Sequence, residues 1–160
     1  MLTKQRKEKV VEALQKAIQV KSYSGEEKGV VEYLEKLFKD IGYDTVHIDR
    51  YGNIVGCIKG KKNGLKVLMD GHMDTVPVQE EKWKENAFGG EIKDEKIYGR
   101  GTSDMKGALI SMVLAGAYFA EDTKKSFQEK YMLLESFMKN VLKELLPEKL
   151  VNMLNLILLL

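Results

Sequence analysis

The chain has 160 residues, 44% hydrophobic and 31% charged, with a formal net charge of +2. This balance suits one globular domain with a real core, and it predicts neither nucleic acid nor a membrane surface as partner. A single cysteine, Cys57, excludes an internal disulfide; with a charged amino terminus that lacks an apolar leader, it predicts a reducing cytoplasm.

Val10, Val11, Leu14, Ala17 and Ile18 recur at helical spacing, which predicts an amphipathic helix over about 3–20 with its lysines in water. Ser24-Gly25-Glu26-Glu27 reads as a capping box that opens a second helix through Val30, Val31, Leu34, Leu37 and Phe38, closed by Gly42. Strands are predicted near 43–49, 53–59 and 65–70, separated by turns at Tyr51-Gly52-Asn53 and across 60–64. His47, between Val46 and Ile48, falls on the solvent face of the first strand, and Cys57 reads as a small core hydrophobe in the second. Residues 83–90 read as a loop, 90–99 as a hairpin around Asp94-Glu95, and 105–120 as a helix with small residues for close packing. The order predicts an α/β fold, a mixed sheet flanked by helices.

The apolar run Leu65-Lys66-Val67-Leu68-Met69 reads as a buried strand, so His72 and Asp74 emerge at its carboxyl end, where α/β sheets place ligands. In extended chain, residues i and i+2 point the same way, which pairs His72 with Asp74 and turns Met73 to the core. An imidazole binds a metal through one nitrogen while a carboxylate on the other fixes its orientation. Asp104, in a glycine-flanked loop before an apolar helix, offers a second carboxylate. A rival reading takes Gly99, Gly101 and Lys106 as a phosphate cradle, but their spacing is not that of a P-loop.

The strings GHMDTVP (71–77) and YGRGTSDMKG (98–107) resemble the signatures of the M20 family of di-zinc peptidases and amidohydrolases. The wider stretch is similar to a subgroup described as selenium-metabolism-linked hydrolases. The resemblance covers about residues 1–124, the amino-terminal part of an M20-type catalytic domain; it implies that His72 is a zinc ligand and that Asp104 bridges two zincs. Asp74 joins the catalytic apparatus as the carboxylate that orients His72. Zinc is the implied cofactor, with cobalt or manganese as alternatives, and small peptides or N-acyl amino acids are the implied substrates of intact members; oligomeric state is left open. The peptide bond after the bridging aspartate, here Asp104–Met105, is expected to be cis.

Residues 125–160 depart from the family. The last 44 residues contain no glycine, and the acidic pair expected at the end of a buried strand is missing. The final eleven residues, Leu150 to Leu160, are too few to span a bilayer. Met138 and Lys139 force a glutamate in the frame that joins each codon's last base to the next two bases. Phe137 and Asn140 then permit His-Glu-Glu there. The tail therefore reads as out-of-frame translation from about Ser126, helical or disordered, with Leu133, Phe137, Val141, Leu142 and Leu145 available for an amphipathic helix. The functional expectation is a truncated, inactive zinc hydrolase of amide or peptide bonds; the alternative is a non-catalytic remnant that binds a metal or a partner.

Overall fold

The structure is a computed structural model that describes residues 2–61, 64 and 66–127, together with the backbone of 130–135. Helix α1 (Lys4–Gln19) begins at Thr3, whose hydroxyl accepts from the Arg6 N–H, and buries Ala13, Leu14, Ala17 and Ile18. Helix α2 (Lys28–Asp40) buries Val30, Val31, Leu34, Leu37 and Phe38. Its predicted capping box does not form: the helix starts past Glu27 with no side-chain cap, and Ser24 is drawn to another partner. Helix α3 (Gly107–Asp122) packs Leu109, Ile110, Val113, Leu114 and Ala117 into the same core.

Strands β1 (Thr45–Ile48), β2 (Ile54–Lys59), β3 (Lys66–Gly71) and β6 (Lys130–Glu135) form one mixed sheet in the order β1-β2-β6-β3. Strands β4 (Glu91–Lys93) and β5 (Lys96–Tyr98) make a separate hairpin. Its two turn residues, Asp94 at φ 50° and Glu95 at φ 59°, adopt the left-handed values a two-residue hairpin demands. His47 is exposed, as its place on β1 predicts. Among the described residues no helix is long and apolar enough to cross a membrane.

Three local expectations are corrected. Cys57 is half-buried, because the two-residue period of β2 sends Ile54 and Ile58 to the core and Cys57 to the opposite face. Strand β3 is not buried on both sides: it is the sheet's outer strand, and Lys66, Leu68 and Asp70 are exposed. The tail is neither helical nor disordered over 130–135, where β6 pairs antiparallel with β2 and parallel with β3. Backbone donors and acceptors on β2 and β3 need partners whatever the side chains are, and β6 supplies them. The remaining tail residues, Met138 and Lys139 included, lie outside the described residues.

Candidate metal centre

Beyond β3 the chain stays extended, pinned by the segment between α1 and α2. The Ser22 hydroxyl donates to the Met73 carbonyl at 2.8 Å, and the Thr75 N–H donates to the Ser22 carbonyl at 2.7 Å. Met73 is thereby buried, and His72 and Asp74 share the opposite side. Asp74 is only 2% exposed, so its carboxylate depends on internal partners. The Ser24 hydroxyl donates to Oδ2 at 2.5 Å. Oδ1 lies 3.0 Å from His72 Nδ1 but off the hydrogen-bond axis, and the same ring nitrogen is 3.1 Å from the Asp74 carbonyl. Nδ1 is thus turned to Asp74, which leaves Nε2 as the outward atom.

Nε2 meets Asp104 Oδ1 at 2.8 Å. Asp104 comes from a tight turn over Thr102–Lys106 that precedes α3. Gly101 opens this turn at φ 83°, and a Cβ there would fall 2.6 Å from Thr75 Cγ2, so only glycine lets the turn close on the His72–Thr75 segment. Lys106 anchors the turn from below: its fully buried Nζ donates at 2.8 Å to the carbonyls of Ala17 and Val20 at the end of α1. Burial pushes that ammonium down to about 8. The Asp104–Met105 peptide bond is cis, as the resemblance implies.

Sequence reasoning named His72, Asp74 and Asp104, and the structure brings all three together. It missed Ser24, whose partner lies 50 positions away; no local pattern separates such a serine from a helix cap. The phosphate cradle loses its cation, because Lys106 is committed to backbone carbonyls beneath the turn.

The donor set suits a borderline divalent cation. A neutral imidazole nitrogen and a carboxylate oxygen are zinc-type ligands, with bonds of ~2.0–2.2 Å that place tetrahedral neighbours ~3.3 Å apart. The 2.8 Å approach of Nε2 and Oδ1 need open by only about half an ångström, and the Asp104 side chain is 76% exposed and able to shift. No third histidine, cysteine or carboxylate joins the pair among the described residues. Both donors line a cleft of about 280 Å³ with Thr75, Val76, Trp83, Arg100 and Ser103.

Residues 68–129 match the model of Peptidase family M20/M25/M40. The uncharacterized protein YgeY of Escherichia coli (strain K12) is 38% identical over 122 residues, which make up 76% of this chain and 29% of that protein. Succinyl-diaminopimelate desuccinylase of Cereibacter sphaeroides (strain ATCC 17029 / ATH 2.4.9) is 33% identical over 105 residues, 64% of this chain and 28% of that enzyme. Among solved structures, the M20 family metallo-carboxypeptidase Sso-CP2 from Sulfolobus solfataricus shares the fold, with a TM-score of 0.69 at 22% identity over 87% of this chain and 32% of that one. The chain spans less than a third of the length of each of these relatives.

Proposed function

We propose, on the premise that this chain belongs to peptidase family M20 across residues 68–129, that it is the amino-terminal part of a metal-dependent hydrolase of amide or peptide bonds. The carrying observation is the 2.8 Å approach of His72 Nε2 to Asp104 Oδ1, with Nδ1 turned to a buried carboxylate. A divalent metal held there would supply Lewis acidity and would lower the pKa of a bound water toward ~7. This chain's residues do the rest. His72 and Asp104 would hold the metal, Asp74 would orient the imidazole, and the Ser24 hydroxyl, 2.5 Å from Asp74 Oδ2, would hold that carboxylate. Zinc is the proposed cofactor, as a pair in intact relatives and at most a partial site in this chain, with cobalt or manganese as alternatives; small peptides or N-acyl amino acids are the proposed substrates of those relatives.

The proposed organisation places the catalytic-domain portion at 1–124 and an out-of-frame tail at 125–160. Two donors make a weak site, and loss of a general base alone costs ~10²- to 10⁴-fold in rate, so this chain by itself turns over little or nothing. The count of two donors among the described residues equally favours a second reading, a remnant that binds metal without catalysis. Calorimetric zinc titration of the chelator-stripped chain, with His72→Ala and Asp104→Ala alongside, tests the site. Saturable binding weakened in both variants is expected, and no zinc binding by the parent chain overturns the proposal. An amidase assay on the zinc-loaded chain then separates hydrolase from remnant. Sequencing the gene tests the tail: codons incompatible with a glutamate pair in the shifted frame sink that part.

A further inference from the structure

Strand β3 closes one side of the four-stranded sheet: it pairs with β6, and no described strand lies beyond it. A strand edge is a template for a further strand. The side chains along this one are self-complementary. Lys66, Leu68 and Asp70 are exposed on one face, and Val67 and Met69 are half-buried on the other. Paired antiparallel about Leu68, the strand sets Lys66 opposite Asp70 of a second copy, Val67 opposite its Met69, and Leu68 opposite itself. Every pair is then of opposite charge or apolar. A slip of two residues either way sets one of the charges against Leu68, and a slip of one sets the core face of one copy beside the solvent face of the other. Within a single strand the two charges stand ~13 Å apart, four steps of ~3.3 Å, so they cannot satisfy each other. Neither makes an ion pair with another described residue.

We infer that β3 is a self-association edge: two copies of this chain pair their β3 strands antiparallel across a two-fold axis at Leu68, with Lys66 of each against Asp70 of the other. Such an interface is isologous, so the one strand supplies both halves and the contact closes at a dimer. Both cores then lie on one face of the joined sheet, and the two His72–Asp104 pairs fall at opposite ends of the seam, because each follows the carboxyl end of its own β3. Neither metal nor substrate enters the inference, which stands apart from the hydrolase reading. One strand pair is a small interface, under ~1,200 Å², and places the dimer among weak, reversible ones.

The test is sedimentation of the chelator-treated full chain over a concentration series at low ionic strength. A reversible monomer–dimer equilibrium is expected, with a Kd on the order of 10–100 μM. Lys66→Asp and Asp70→Lys each turn both opposite-charge pairs into like-charge pairs, so each should weaken self-association at least ~10-fold. Mixed in equal amounts, the two variants complement each other and should form a heterodimer about as tight as the parent dimer. The doubly reversed chain, Lys66→Asp with Asp70→Lys, should again pair with itself. Leu68→Lys sets like charges on the axis and gives a second route to the monomer should a reversed variant fail to fold, which circular dichroism reports. A parent chain that stays monomeric throughout overturns the inference, and it is also the result if residues 136–160 of the same chain cover the edge. A dimer indifferent to all three single substitutions overturns it by placing the contact on another surface, and so do folded reversed variants that fail to associate on mixing.

Discussion

Ser24→Ala removes one hydroxyl far from Asp74 in sequence, and the structure makes it consequential. Asp74 is 2% exposed, and the 2.5 Å contact from Ser24 is the one conventional side-chain hydrogen bond its carboxylate receives among the described residues. Hydrogen bonds to buried charge are worth ~1.5–3 kcal/mol, because the unpaired group keeps its desolvation cost. The variant should therefore lose about that much stability in urea unfolding. A loosened Asp74 also loosens His72, and outer-sphere partners of this kind are worth ~10- to 100-fold in metal affinity, so calorimetric zinc affinity should fall within that range. The two effects share one carboxylate. In an Asp74→Asn background the Ser24 substitution should cost far less, a coupling that a double-mutant cycle measures. An equal cost in both backgrounds, or a loss under ~0.5 kcal/mol with zinc affinity unchanged, would refute the role given to Ser24.

Lys106→Met should destabilise the chain by ~1–3 kcal/mol in urea unfolding, because it orphans the Ala17 and Val20 carbonyls that Nζ satisfies. Gly101→Ala forces a side chain into φ 83° and to 2.6 Å from Thr75 Cγ2, so a loss of ~1–3 kcal/mol and weaker zinc binding are expected. Tyr33 donates to the Ala13 carbonyl, and burial pushes its phenol up to about 12. The unfolded phenol ionises near ~10, so stability present below that pH is lost as pH climbs from ~10 through 12. Denaturant unfolding of Tyr33→Phe should lack this part of the alkaline decline, and parallel curves for the two proteins would remove Tyr33 as its source.

The elements built by apolar periodicity were legible. Helix α2 buries all five residues its spacing predicts, α1 buries Leu14, Ala17 and Ile18 but leaves Val10 and Val11 half-buried, and the hairpin turn falls on Asp94 and Glu95. The convergence of His72, Asp74 and Asp104 was legible too, since His72 and Asp74 need only the alternation of extended chain and Asp104 sits in a recognisable string. Contacts set by tertiary placement were not. Ser24 carries the pattern of a helix cap and acts as the donor to a carboxylate. Lys106 carries the pattern of a phosphate-binding cation and acts as a strut under α1. Strand β3 has the apolar run of a buried strand, yet Lys66, Leu68 and Asp70, alternate residues that share one face, meet solvent.

The register of β6 bears on what the site lacks. Gly71 of β3 stands opposite Glu135 of β6 in a parallel pair, so both strands end at the edge of the sheet from which His72 emerges. The residues that follow β6 in sequence, Ser136-Phe137-Met138-Lys139-Asn140, contain no carboxylate or imidazole. The shifted frame contains a forced glutamate across Met138 and Lys139, and permits a second and a histidine around it. A chain expressed with that frame restored should bind zinc more tightly than the parent, by no less than the ~10- to 100-fold that mere outer-sphere partners supply. Equal zinc affinities in the two chains would place the missing donors elsewhere and remove the frame from the account of this site.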